Sequence, residues 1–208
     1  FCGLGCSLVV VACTLGGGLV IGVFAGLLAG WYGRWIDERM MRVVDIKLAI
    51  PTILLALVLV LALGQSFLII VAILAIAVWP RFARNTRGEV LQLKNMDYVS
   101  LAKVAGASTP RILFVHIFPG VVNTLIILAS LEVGIVILLE STLSFLGAGV
   151  PPPTPAWGSM VADGRDRLAV AWWISTMPGV AIMMVVLAMN LFGDWLRDKL
   201  DPRLRQLE

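Results

Sequence analysis

Charge is what this sequence has least of. Asp, Glu, Lys and Arg fill 14% of its 208 positions, against 60% hydrophobic residues. Soluble domains are about a quarter charged. Residues 4–32, 48–80 and 169–193 hold no charged side chain at all. Folded around one aqueous core, such a chain has too little polar material to cover its surface, which excludes a soluble globular protein. Histidine is nearly absent as well. His116 stands alone, without Cys or carboxylate at ligand spacing, so no metal site is expected and His116 reads as a bulky interfacial residue. Cysteine is limited to Cys2, Cys6 and Cys13, in or beside the first apolar stretch, where they read as small hydrophobes rather than a disulfide framework. No Gly-rich loop ending in Lys-Ser or Lys-Thr occurs, so the chain has no familiar means of holding ATP phosphates. A formal charge of +3 makes no case for nucleic acid. Phe1 is not an initiator Met and no basic run precedes the first apolar stretch, so no signal peptide is expected. The chain is expected to begin partway through a longer product, with one more span upstream.

What is present is apolar sequence in lengths that cross a bilayer, for which about 20 residues suffice. Five spans are predicted, over 6–31, 43–63, 67–83, 121–146 and 172–192. In the first, Gly16, Gly17, Gly18, Gly22, Gly26 and Gly30 leave a smooth surface that a neighbouring helix can approach closely. Trp31 and Tyr32 follow where an interfacial aromatic belt belongs. The run 48–80 is divided by Gly64, Gln65 and Ser66, which predicts a tight hairpin, with a single re-entrant segment as the alternative. Pro51 and Pro80 should mark kinks or entry points. The fold class expected is all-α, a polytopic transmembrane helical bundle forming one domain over 1–208.

Lys and Arg orient the bundle, because cytoplasmic loops collect them. Arg34, Arg39, Arg42 and Lys47 lie in the first connection, and none in the second. The third holds Arg81, Arg84, Arg87, Lys94, Lys103 and Arg111; the fourth holds Arg165 and Arg167; the tail holds Arg197, Lys199, Arg203 and Arg205. Fourteen of the 16 basic residues thus fall on one side. That side is expected to be cytoplasmic, with Phe1 outside and Glu208 inside.

The third connection is too patterned for a slack loop. Asp97 is placed to cap a short helix from Tyr98 to Ala105, Gly106 to end it in a left-handed conformation, and Thr109-Pro110 to start another. Eight helical residues make a rod of about 12 Å. Tyr98, Leu101, Ala102 and Ala105 give it an apolar side, with Lys103 toward water. From these residues alone it either docks into another protein or packs on its own bundle.

The stretch from Tyr98 through Gly106 and Arg111 to His116-Ile-Phe-Pro119 resembles the cytoplasmic coupling loop of ABC importer permeases. Ser100, Leu101 and Ala102 occupy the family's Glu-Ala-Ala positions, with Gly106 and Pro119 as its Gly and Pro. Other blocks are similar to the dipeptide, oligopeptide and nickel branch, in particular its second, C-type subunit. They include Gly30-Trp-Tyr-Gly-Arg-Trp-Ile-Asp-Glu, Leu143-Ser-Phe-Leu-Gly-Ala-Gly-Val, Asn190-Leu-Phe-Gly-Asp-Trp-Leu-Arg-Asp and Leu200-Asp-Pro-Arg203. The resemblance implies a non-catalytic permease of a bacterial or archaeal cell membrane, in which residues 97–111 dock on an ATPase. It also implies a homologous second permease subunit, two ATPase subunits or domains carrying ATP and Mg, and an extracytoplasmic solute-binding protein. Tyr98, Ala102, Gly106, Ala107 and Arg111 are then the expected transmission residues. Peptides, glutathione-like compounds and nickel complexes all remain open as solutes, as does a structural membrane subunit without a pathway.

Two charges interrupt the fourth span. Glu132 and Glu140 lie about two turns apart on roughly one face. Charge facing lipid is costly, so both should face the bundle, a partner or water. Ser141, Thr142 and Ser144 stand ready to bond Glu140, which points to polar networking first and to a pathway or proton-relay role second. An intramembrane enzyme would need further polar partners at the same depth, and no His or Asp accompanies the two glutamates within their span. Pro151 to Pro155 predict a stiff external segment, Asp163, Arg165, Asp166 and Arg167 a solvated cluster, and Asp194, Arg197, Asp198 and Arg203 an anchor for the last helix.

Overall fold

The computed structural model defines residues 2–151 and 153–200, and every regular element among them is helical. Phe1, Pro152, the tail from residue 201 with Arg203 and Arg205, and the side chains of Cys2 and Cys6 lie outside the described residues. Helix α1 (Cys2–Tyr32) leads through Gly33 into α2 (Arg34–Ala49), and Pro51 separates that from α3 (Thr52–Leu63). Helix α4 (Phe67–Leu93) follows, then the short α5 (Asp97–Val104) and α6 (Thr109–Arg111). A π-helical segment, Ile112–Ile117, joins α6 to α7 (Phe118–Phe145). The chain closes with α8 (Trp157–Arg165), α9 (Leu168–Ala171) and α10 (Trp173–Leu200).

Four of these rods are long and apolar enough to cross a membrane: Ser7–Tyr32, Phe67–Leu93, Thr109–Phe145 and Trp173–Leu200. The predicted second span, 43–63, is not straight. Helices α2 and α3 meet at 88°, and they make a fifth crossing only as a broken pair. The break falls at Pro51, which has no N–H to continue the ladder and disfavours helical geometry at the residue before it. Pro80 behaves differently. It is buried inside α4, and the helix runs on well past the expected end at residue 83.

The seam between α1 and α4 organises the bundle. Gly18, Gly22, Gly26 and Gly30 recur every fourth residue on α1 and face Val78, Phe82, Thr86 and Val90 on α4. A Cβ added at Gly18, Gly22 or Gly26 would sit 2.5 Å from the facing side chain. Equal i, i+4 ridges on both helices therefore interlock at short range. Helix α7 lies against both α1 and α4, and α10 packs on α7 and α8. The buried side chains of Ile70, Leu74, Phe82, Ile117, Ile137 and Leu143 fill the interior between them. A buried Trp157 opens α8, and Gly158 lets that helix press onto the Ser141 backbone.

The sequence reading placed residues 34–42 in a connection, whereas they fold, together with the start of the predicted second span, as α2. It runs antiparallel to α4 and is tied to it by ion pairs from Arg87 to Asp37 and from Arg84 to Asp45, the latter at 2.6 Å. Lys47 continues the series further along α4, where its Nζ donates to the Ala77 carbonyl at 2.6 Å.

Candidate functional site

The α4–α7 connection builds a small folded unit. Helix α5 starts after Met96, which is extended and makes no side-chain cap, so Asp97 sits in the first turn instead of capping it. There its charge still favours the helix N-terminus. At the other end Gly106 takes φ +78°, its N–H bonding Lys103 O and that of Ala107 bonding Ala102 O, each at 3.0 Å. This paired pattern closes a helix through a left-handed residue, which a glycine adopts at little cost. Ser108 then turns extended and Pro110 enters the first turn of α6, so Thr109 is already helical rather than the cap.

Helix α5 presents its faces differently from the sequence expectation. Val99 is fully buried and Ala102 partly so, while Tyr98, Leu101 and Ala105 turn outward, with Leu101 68% exposed. Lys103 does not simply point to water; its Nζ lies 4.8 Å above the Trp31 ring at the end of α1. Two turns of helix offer two or three positions per face, so periodicity alone does not choose the buried one. Packing against the π-helical segment does.

The five residues singled out by the sequence converge. Tyr98, Ala102, Gly106, Ala107 and Arg111 line one open groove of about 470 Å³, together with Leu101, Ala105 and His116. Small residues floor it, an aromatic ring and a guanidinium flank it, and Val104, 88% exposed, stands beside it. Such a surface fits an apolar knob accompanied by an acceptor or an anionic group. Sequence reasoning passed over His116 as a lining residue, although its position seven residues after Thr109 marks the far wall of the same turn.

Glu132 and Glu140, both buried in α7, do not share a site. Glu132 accepts from Arg81 Nη1 of α4 at 2.8 Å, and its second oxygen has no partner among the described residues. Glu140 accepts from Ser144 Oγ at 2.7 Å and, across the bundle, from Ser7 Oγ of α1 at 3.3 Å. One is an interhelical ion pair and the other a hydroxyl-bonded carboxyl. Arg81 and Ser7 went unnoticed in the sequence because nothing local fixes the rotation of α4 or α1 toward α7. Among the described residues no group of three or more His, Cys, Asp or Glu is placed to hold a metal ion.

Comparisons with known proteins bear on all of this. The family described as "Binding-protein-dependent transport system inner membrane component" matches residues 19–206. The di/tripeptide transport system permease protein DppC of Pseudomonas aeruginosa is 44% identical over 187 residues, covering 90% of this chain and 62% of that protein. The dipeptide transport system permease protein DppC of Escherichia coli is 49% identical over 166 residues, 80% of this chain and 55% of that protein. The glutathione transport system permease protein GsiD of Pectobacterium atrosepticum is 43% identical over 188 residues, 90% and 62%. The chain thus spans less than two thirds of the length of these relatives. A chain of the MetNI methionine ABC transporter, in an inward-facing conformation, shares the fold at a TM-score of 0.75 and 17% identity, with 96% of this chain and 94% of that one aligned. By the match across nearly its whole length, the chain belongs to the binding-protein-dependent transport-system inner membrane component family, the permeases of ABC importers.

Proposed function

We propose that this chain forms half of the membrane pathway of an ATP-driven importer for di- or oligopeptides, with no catalytic chemistry of its own. The groove carried by α5, Gly106 and α6 is the observation that supports this reading. It is a folded, partly apolar surface at the junction of two long spans, suited to receiving force from a separate motor. ATP and Mg are bound by two ATPase subunits or domains that engage residues 97–111 through Tyr98, Ala102, Gly106, Ala107 and Arg111. A homologous second permease completes the pathway, and an extracytoplasmic binding protein delivers the solute. Residues 97–111 and the C-terminus lie on the cytoplasmic side, where the basic residues are concentrated, and the chain start lies outside.

Coupling of this kind needs contacts that differ between two states of the bundle. The π-helical segment and the bond from Lys94 Nζ to Gly30 O at 2.9 Å connect the groove to α7 and α1, which gives motion at the groove two routes inward. The peptide solute follows from the relatives at 44% and 49% identity. Glutathione, itself a tripeptide, is the second reading, favoured by the relative at 43%. Proteoliposomes carrying the complete transporter decide the matter. Labelled dipeptide should accumulate inside only with ATP, and glutathione should compete weakly. Accumulation of glutathione alone would exchange the two readings, and no ATP-dependent uptake of either would end both.

A further inference from the structure

One charged cluster lies within the spans and is used by nothing above. Arg81 stands about 21 Å along α4 from Phe67, and Glu132 about 20 Å along α7 from Phe145, at roughly 1.5 Å per residue. Measured from those helix ends, both fall within the thickness of a hydrocarbon layer, about 30 Å. Lys47 joins them, buried, its Nζ bonded to Ala77 O at 2.6 Å and to Thr52 Oγ1 at 3.4 Å. The cluster holds two cations and one anion. Its burial is uneven: the Glu132 side chain is 2% exposed and that of Arg81 47%. The pair engages the guanidinium through Nη1, and the Arg81 side chain stays half exposed. Asn85, one turn along α4, is also exposed and donates to Arg81 O at 2.9 Å. Two polar side chains in succession on the open face of a span do not belong against lipid.

Resting on the reading of this chain as half of a solute pathway, we propose that Arg81 is a carboxylate-binding subsite of that pathway, aimed by its ion pair with Glu132. A guanidinium offers five N–H donors in a planar fork, so one edge can be held by Glu132 while another bonds a second carboxylate. The extra positive charge of Lys47 leaves the cluster able to accept an anion. A terminal carboxylate is an anionic group that every unmodified peptide carries whatever its side chains, so a subsite for it serves a carrier of varied peptides. Lys47 and Glu132 act here as positioning residues and Arg81 as the contact.

The test is the number of labelled trialanine molecules taken up per ATP hydrolysed, in proteoliposomes of the complete transporter with its binding protein. With unbound ATPase subunits washed away, the ratio is insensitive to the fraction of complex that assembles. Arg81→Gln combined with Glu132→Gln removes the ion pair while leaving the net charge of the cluster unchanged, and should lower the ratio at least tenfold. Arg81→Glu combined with Glu132→Arg keeps a pair but presents an anion, and should lower it further. An unchanged ratio in the neutral double variant, or a ratio restored by the swapped pair, would overturn the subsite and leave an internal bridge or a contact with the other permease. Should the wild-type transporter carry no peptide, the peptide reading fails before the subsite is reached. If the double variants yield no complex, Arg81→Lys supplies the ratio. A several-fold decrease supports the fork as the contact, and a wild-type value overturns it.

Discussion

The α1–α4 seam and the α5–α6 groove are both made of small residues, with opposite results. In the seam, Gly18, Gly22, Gly26 and Gly30 are small because another helix occupies the space a Cβ would take. In the groove, Gly106 has no neighbour within 4 Å of that space, and its φ of +78° is what calls for glycine. Small residues closed on a partner hold a bundle rigid. Small residues left open, beside exposed Leu101 and Val104, form a surface still short of its partner. On the proposed reading, the difference separates the part of the chain that keeps its shape from the part that receives motion.

The comparison breaks first if the seam tolerates bulk. Gly22→Leu drives its new side chain into Phe82 Cβ at 2.5 Å and Trp79 O at 2.6 Å, both rooted in the α4 backbone. Overpacking usually costs about 1–3 kcal/mol, and a backbone clash belongs at the upper end. The variant should show a markedly lower melting temperature in detergent or fail to accumulate. Gly16 on the same helix is exposed and an added Cβ there meets nothing within 4 Å, so Gly16→Leu should melt close to the wild type. Equal behaviour of the two would remove the seam from the account.

The glycine ridge and the Gly106 turn were legible in the sequence because each depends on local spacing or on one residue's backbone. The broken second span was half legible: Pro51 marked the place, but the 88° angle is set by the packing of α2 and α3. Helix α2 was missed because its mixed charges look like a loop, and their partners Arg84 and Arg87 lie about forty to fifty residues away. The inward face of α5 was misread since two turns carry too little periodicity to weigh Val99 against Leu101. Glu132 and Glu140 were recognisable as charges needing partners, and Ser144 was a visible candidate four residues from Glu140. Arg81 was counted only as a topological cation, because its pairing depends on how the seam rotates α4.

A sharper version of the comparison concerns the two carboxyls of α7. Arg81→Ala leaves the buried Glu132 without its hydrogen-bonded cation. Loss of one partner from a fully buried pair costs about 3–5 kcal/mol; the half-exposed Arg81 reduces the expectation to about 2 kcal/mol. Glu140→Gln should be milder, at about 1 kcal/mol or less, since the amide oxygen still accepts from one of the two serine hydroxyls while its NH2 can donate to the other. Thermal unfolding of both variants in one detergent checks the order. The reverse order would mean that the hydroxyl-bonded carboxyl, not the ion pair, ties α7 into the bundle.

The central claim, that the groove transmits an external motor's force, is tested most directly at Gly106. Gly106→Trp fills open space, so the bundle should still insert and assemble, while the left-handed turn is strained and the docking surface is blocked. In proteoliposomes of the complete transporter, solute uptake per ATP hydrolysed should fall at least tenfold, with the complex intact by size-exclusion chromatography. A stable Gly106→Trp transporter with a wild-type ratio would contradict the account.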